Sequence, residues 1–187
     1  MKTSQVRIIG GDWRGRKLEF PASVQQLRPT PGRIRETLFN WLAYSVNGSR
    51  CLDLYAGSGA LGAEALSRGA AEVTFVEADH KSARLLEQNL QRLGSDSRVY
   101  NMDARRFVRQ VDGHWDIVFL DPPYRHGMLQ QILRLLHDHG RLAENALIYI
   151  EAERELGEIK LPAGWKYIKN KKAGQIEYFL ATNNLEG

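Results

Sequence analysis

Apolar positions along the chain fall into two rhythms. Short runs at Arg50–Leu54, Glu72–Glu77, Arg98–Met102, Asp116–Leu120 and Ala146–Ile150 have the length and composition of buried strands. Between them, Ala60–Arg68, His80–Leu93, Ala104–Gln110 and Met128–His137 read as helices. Strands that alternate with helices form right-handed crossovers and hence a parallel sheet covered on both faces. Ahead of this block, Ile34, Leu38, Trp41 and Leu42 recur at helical spacing and predict a helix from Gly32 to about residue 46, ended by Gly48 and Ser49.

The two ends break the alternation. Val6–Ile9 and Arg16–Phe20 flank the glycine-rich Gly10–Gly15 and predict a hairpin. Pro21–Pro31 reads as a linker, with Pro29 and Pro31 holding Arg28 and Thr30 extended. Trp165–Asn170 and Gln175–Ala181 predict a closing antiparallel pair, whose Lys169, Lys171 and Lys172 read as a solvated turn. The fold class expected is therefore α/β and Rossmann-like. It has a mostly parallel seven-stranded sheet with helices on both faces, a C-terminal antiparallel hairpin and a small N-terminal β-hairpin extension. Residues 1–30 form a hairpin and linker in this reading, and residues 31–187 the main domain.

Composition narrows the class without naming a function. At 187 residues, 43% apolar and 26% charged, the chain suits one globular domain. No apolar run reaches the roughly 18–20 residues that span a bilayer, and the start lacks an apolar signal core. The single cysteine, Cys51, excludes an internal disulfide and a cysteine-based zinc site, so a cytoplasmic protein is expected. The five histidines show no ligand spacing, and no metal is expected. Charge is unevenly spread. Residues 1–35 carry eight Lys or Arg against Asp12 and Glu19, a net of +6, while the rest, with 18 basic and 20 acidic residues, nets −2. A basic arm on a near-neutral body points to a polyanionic partner, the alternative being an ordinary solvated surface.

Two segments carry chemistry. The first predicted strand of the alternating block runs into Asp53-Leu-Tyr-Ala-Gly57-Ser-Gly59-Ala-Leu-Gly62, and Glu77 follows 20 residues past Gly57. Glycines at such a bend let the backbone approach a ligand, and an acid at that distance suits ribose hydroxyls. A nicotinamide enzyme, a flavoprotein and a methyltransferase share this pattern. Asp53 separates them: a carboxylate there repels pyrophosphate and suits a cationic amino group, such as that of S-adenosylmethionine. In that reading Ala56, Gly57, Ser58 and Gly59 line the ligand, while Asp103 and the Ala104 amide take an adenine edge. Asp103 also suits the N-cap of the helix it precedes, and the two roles are compatible. The second segment, Asp121-Pro122-Pro123-Tyr124, ends an apolar run with residues that cannot extend it. It is either a rigid brake or a site where a flat ring stacks on Tyr124 while Asp121 and a fixed carbonyl hold a polar edge.

The order Asp53-x-x-x-Gly57-x-Gly59, Glu77, Asp103, Asp121-Pro-Pro-Tyr124 resembles the class I S-adenosylmethionine-dependent methyltransferases that act on exocyclic amines. More narrowly, Arg7–Leu18 and Arg28–Asn40 are similar to the RsmD family, with Gly32 standing where members usually carry a polar or acidic residue. The resemblance spans residues 6–181. It implies methylation of a guanine N2 amine in bacterial 16S ribosomal RNA, on free RNA or the small ribosomal subunit. It also implies that Thr30 and Arg33 wall the cofactor or target-base pocket. Asp121 and the Pro122 carbonyl would accept the amine hydrogens and stabilise its developing charge, with Pro122 and Pro123 keeping that carbonyl fixed. Arg7, Arg14, Arg16, Lys17 and Arg33 would grip RNA phosphates. Trp13 packs the hairpin or stacks on RNA; Tyr55 and Arg125 touch the ligands or serve packing and surface. Cys51, at the start of a buried strand, is no nucleophile, which argues against methylation of a pyrimidine ring carbon.

An adenine-N6 methyltransferase of RNA or DNA would share the box but needs a larger recognition region. A nicotinamide oxidoreductase would leave Asp53 and the Pro-Pro-Tyr segment idle. A monomer without membrane contact is expected.

Overall fold

A computed structural model of the chain describes residues 2–22, 29–123, 127–157 and 159–184. A small antiparallel sheet pairs β1 (Thr3–Arg7) with β2 (Lys17–Pro21). The main sheet holds β3 (Arg50–Asp53), β4 (Glu72–Val76), β5 (Val99–Tyr100), β6 (Trp115–Leu120), β7 (Leu142–Glu153), β8 (Lys166–Ala173) and β9 (Ile176–Thr182). Its order is β5-β4-β3-β6-β7-β9-β8, parallel from β5 to β7, with β9 antiparallel to both its neighbours. The helices are α1 (Gly32–Trp41), α2 (Ala60–Ser67), α3 (His80–Leu93), α4 (Ala104–Gln110) and α5 (Met128–Asp138). This is the Rossmann-like sheet with a terminal antiparallel pair that the alternation predicts.

The strand order reverses between β3 and β6, so the connections leaving their C-terminal ends diverge and open a crevice there. Strand periodicity decides what points into it. Cys51, Phe119 and Tyr149 all pack in the core between the sheet and α1, α2 and α3. Their neighbours Leu52, Val118 and Ile148 pack on the other face, against α4 and α5. Because faces alternate with period two, Asp53, Asp121 and Glu151 continue the first three rows beyond the apolar region.

Several boundaries move from their expected places. Helix α1 ends at Trp41, after which the amides of Ser45 and Val46 both turn back to the Leu42 carbonyl. Leu42 and Val46 remain buried, so the apolar spacing outlasts the helix. Strand β7 begins at Leu142, well before its apolar run, and takes in an irregularity at Asn145, whose φ is 58°. Strand β1 lies earlier than Val6–Ile9 because Thr3, Ser4 and Gln5 pair despite their polarity.

The small sheet is seated on the main body. Ile8 and Leu18 are fully buried with Ala63 and Leu93, each such aliphatic side chain contributing about 1.5–3 kcal/mol. Trp13 packs at the edge of this cluster. Glu64, with no exposed surface, accepts the amides of Ile9 (2.9 Å) and Gly10 (2.8 Å) and meets Arg68 (2.8 Å) and Arg35 (3.5 Å). Asn89 completes the free edge of β2, accepting from the Glu19 amide at 3.1 Å and donating to its carbonyl at 2.7 Å. At Gly11 (φ 73°) a Cβ would lie 1.7 Å from the Ser67 carbonyl oxygen, so only glycine lets the turn sit this close to α2. Arg35, counted with the basic arm in the sequence, is buried: its guanidinium joins the carbonyls of Arg7 and Thr30 to Glu64. The charge the arm presents to solvent is smaller by that residue.

Candidate active site

A cavity of about 560 Å³ occupies the crevice at the C-terminal ends of β3, β4, β6 and β7. The turn after β3 forms its floor. Gly57 (φ 51°) and Gly59 (φ 76°) both take the left-handed conformation, and a Cβ on Gly59 would also strike Leu86 at 2.3 Å. Ala56 and Ser58 line the cavity beside Gly57.

Asp53 is 2% exposed, and its Oδ2 accepts the amide of Gly62 at 3.0 Å. Burial pushes its carboxyl up to about 7; the Gly62 bond opposes this and the nearby Glu77 charge adds to it. It thus occupies the N-terminus of α2, where a dinucleotide would place its pyrophosphate. A cationic group entering the cavity would restore its charge, whereas a phosphate would meet a carboxylate in place of free amides.

Glu77 follows β4, with Oε2 2.7 Å from the Gly57 amide and Oε1 2.7 Å from that of Asp79. Burial raises its carboxyl, and the Asp79 and Gly57 amides hold it down. Each oxygen keeps a second lone pair for a hydroxyl. The acid therefore ties the glycine turn to the end of β4 as well as facing the cavity, a duty its spacing alone does not reveal. Asp103 caps α4, accepting from the amides of Arg105 (3.0 Å) and Arg106 (3.2 Å), and pairs with the Arg105 guanidinium at 3.0 Å. The Arg105 bond, against burial, holds its carboxyl below the usual range. Its side chain is thus largely engaged, which leaves the backbone at Ala104 as the freer group for an adenine edge. The Tyr55 hydroxyl, in the same cavity lining, is buried with no partner among the described residues, and burial raises its titration. An orphaned hydroxyl, a glycine cradle and a buried carboxylate seeking a cation fit a ligand with an adenosine part and an ammonium, as S-adenosylmethionine has.

Asp121-Pro122-Pro123, at the end of the adjacent strand β6, also line the cavity, with Pro122 buried. Tyr124 and Arg125 lie outside the described residues. Asp121 extends the row of Phe119 at the end of β6 and is level with Glu151 on β7, since Phe119 pairs with Tyr149. Thr30, 3% exposed, bridges them: its Oγ1 is 3.0 Å from Glu151 Oε2 and 3.5 Å from Asp121 Oδ2. The Tyr149 hydroxyl donates to the same Glu151 oxygen at 2.9 Å. Burial, then the charges of Glu151 and Asp53, lifts the Asp121 carboxyl well above its ordinary value. Glu151 is raised by burial and restrained by its two hydroxyl donors. Sequence reasoning does not find Glu151 and Tyr149. The available signal is an acid closing the apolar run Leu147–Ile150, in the same place as Asp121 after Trp115–Leu120.

The residues expected to meet RNA fall elsewhere. Arg7, Arg14, Arg16 and Lys17 are exposed on the arm, and Arg33 is exposed on the first turn of α1. Arg7 donates to the Gly15 carbonyl (3.1 Å) and Arg16 to that of Arg92. None of the five lines the cavity. Cys51 is fully buried, its thiol pushed up to about 12 by burial, as expected of an inert core cysteine.

Comparison with known proteins agrees with this layout. The family model described as Conserved hypothetical protein 95 matches residues 6–182. Ribosomal RNA small subunit methyltransferase D of Escherichia coli is 49% identical over 99% of this chain and 93% of its own. That of Haemophilus influenzae is 46% identical over 96% and 94%. A solved Escherichia coli protein, yhhF, superposes with a TM-score of 0.91 at 47% identity, covering 98% of this chain and all of its own. The chain therefore belongs to the family of ribosomal RNA small subunit methyltransferase D, with the class I methyltransferase fold.

Proposed function

We propose that this protein transfers a methyl group from S-adenosylmethionine to the N2 amine of a guanine in bacterial 16S ribosomal RNA. The observation that carries the reading is that one cavity is lined both by the turn after β3, with Asp53, Gly57 and Glu77, and by Asp121-Pro122-Pro123. Its relatives named as small-subunit ribosomal RNA methyltransferases support the substrate class.

S-adenosylmethionine, when bound, supplies an electrophilic methyl group on a sulfonium. Asp53 would hold its ammonium and Glu77 its ribose hydroxyls, with the Gly57–Gly59 backbone against it. The protein's task is then the nucleophile, because the lone pair of an exocyclic amine is delocalised into its ring. Asp121 and the Pro122 carbonyl accept the two amine hydrogens, turn the lone pair toward the electrophile and stabilise the charge that develops on nitrogen. Two consecutive prolines leave that carbonyl little freedom to rearrange. Tyr124 stacks on the base, an interaction worth about 1–3 kcal/mol. Residues 1–30, as a basic unit on the methyltransferase domain, grip the RNA backbone through Arg7, Arg14, Arg16 and Lys17, with Arg33 nearby. The enzyme acts in the cytoplasm as a monomer, without a metal.

The test is methyl transfer from labelled cofactor to small ribosomal subunits of a strain lacking its relative, with mass mapping of the RNA. A single new N2-methylguanine is the expected product; methyl-adenine, or no incorporation into 16S RNA, would refute the assignment.

A further inference from the structure

Glu151 is a buried carboxylate that the mechanism above does not use. It stands level with Asp121 on the adjacent strand, 2% exposed, and shares the Thr30 hydroxyl with it at 3.0 and 3.5 Å. The groups facing the two acids are Asp53 at the end of β3, Tyr149 on β7 and, behind that ring, Tyr178 on β9. From α1, Arg33 is exposed, and Arg35 reaches only the Thr30 carbonyl on this side (3.1 Å). Among the described residues neither acid has an ion-pair partner. Two carboxylates this close and without a cation do not both ionise readily, and they behave as a pair holding one proton.

We propose that Asp121 and Glu151 form such a pair through the Thr30 hydroxyl, with Glu151 the positioning residue that makes Asp121 a strong enough acceptor for the proton the methylated amine sheds. This rests on the function proposed above. The geometry fixes the direction of the hydrogen bonds. The Tyr149 hydroxyl donates to Glu151 Oε2, and the single Thr30 hydroxyl hydrogen is shared between that oxygen at 3.0 Å and Asp121 Oδ2 at 3.5 Å, so Glu151 is the better stabilised as an anion and Asp121 the more weakly served by the hydroxyl. When the target amine arrives, Asp121 must present a bare carboxylate; its proton leaves to solvent, and Glu151 stays ionised beside it. After methylation the nitrogen is positively charged. One N–H bond then breaks, its electron pair stays on nitrogen, and the proton forms an O–H bond on Asp121. The pair is then back to its one proton, and the net proton of the reaction is the one that left when the amine bound. A lone aspartate of ordinary acidity would be a poorer acceptor for that proton.

Burial and the Glu151 charge both raise the Asp121 carboxyl, while the Thr30 hydroxyl lowers it. The two substitutions that disturb the pair should therefore move Asp121 in opposite directions. In Glu151→Gln the amide oxygen still accepts from Tyr149 and Thr30, but the charge is gone, so Asp121 should titrate lower by at least about one pH unit. In Thr30→Val the charge stays and the hydroxyl is removed, so Asp121 should titrate higher. Carbon-13 spectra of the cofactor-free protein labelled at aspartate carboxyls read this directly, with the Asp121 signal identified by its loss in Asp121→Asn. Single-turnover methyl transfer to small subunits gives the second readout. The acid limb of the Glu151→Gln rate profile should shift downward, and its plateau should fall about tenfold or more. An Asp121 titration unmoved in both variants, or moved the same way in both, overturns the pair. Opposite shifts in the spectra with no methyl transfer by the wild-type protein would uphold the pair and refute the RNA assignment.

Discussion

Asp53 accepts the amide of Gly62 at 3.0 Å, so the N-terminus of α2 is filled by a carboxylate of the chain itself. The bond accounts for two properties together. It removes an anion site from the turn after β3, and it buries a carboxyl whose titration rises to about 7, chiefly through burial.

A carboxyl that titrates higher folded than unfolded keeps a proton that the unfolded chain has lost. Its effect on stability is most favourable below the unfolded value and fades as pH rises through about 7. The cofactor-free protein should therefore melt at a higher temperature near pH 5 than near pH 8, and Asp121 and Glu151 push the same way. Asp53→Asn should flatten this dependence and stabilise the free protein at pH 8, by at most about 4 kcal/mol at 1.4 kcal/mol per unit, while weakening S-adenosylmethionine binding. Melting curves across pH, with and without the cofactor, provide the check. An unaltered slope in the variant would remove Asp53 from the account.

Glu77→Ala should weaken S-adenosylmethionine binding about ten- to a hundredfold, because hydrogen bonds to a charged acceptor are removed. It also strips the Gly57 and Asp79 amides of their acceptor. Glu77→Gln keeps one such acceptor and should fall between the two. Calorimetry on all three proteins distinguishes the roles; equal affinities would place the ribose elsewhere.

Asp121→Ala should cut methyl transfer about a hundred- to a thousandfold and leave much of the cofactor affinity. Tyr124→Phe should keep most activity because stacking needs the ring, whereas Tyr124→Ala should fail in base capture. Near wild-type turnover by Asp121→Ala would return the Pro-Pro segment to a purely structural role.

Replacing Arg14, Arg16 and Lys17 together should flatten the slope of log RNA affinity against log salt by about 2–3, at roughly 0.7–0.9 for each phosphate no longer neutralised. Cofactor binding should survive. If the slope matches wild type, these side chains face solvent in the complex.

Gly11→Ala should unseat the turn of the arm, since the new methyl group collides with the Ser67 carbonyl. RNA affinity should fall while cofactor affinity holds, because neither Gly11 nor Ser67 lines the cavity. Wild-type RNA binding in this variant would show that the seating of the turn does not matter for the substrate.

What the sequence makes legible follows from which signals are local. The span of α3 is readable to the residue because Asp79 caps it, Gly94 ends it in the left-handed conformation and Ala83, Leu86, Leu90 and Leu93 recur along its buried face. The parallel sheet follows from alternation and the chirality of crossovers. The acids of the glycine turn and of the Pro-Pro segment stand out because each closes an apolar run. Glu151 does the same but belongs to no motif, and its meaning depends on Thr30, 121 residues away in sequence. Arg35 looks like one more charge on a basic arm; only the fold shows that a buried Glu64 on another element accepts it. Strand β1 is misplaced by its pattern because it is made of polar residues, and pairing with β2 is what makes them a strand.

The seating of the arm on α2 and α3 also changes what it can ask of a substrate. With Ile8 and Leu18 buried, two amides fixed on Glu64 and no room for a side chain at Gly11, its basic face keeps a set distance from the pocket. In the proposed function such an arm works as a gauge and not as a tether. It rewards RNA whose backbone and target guanine are already spaced by a folded architecture, and short flexible fragments carrying the same nucleotides would have to acquire that spacing at their own entropic cost.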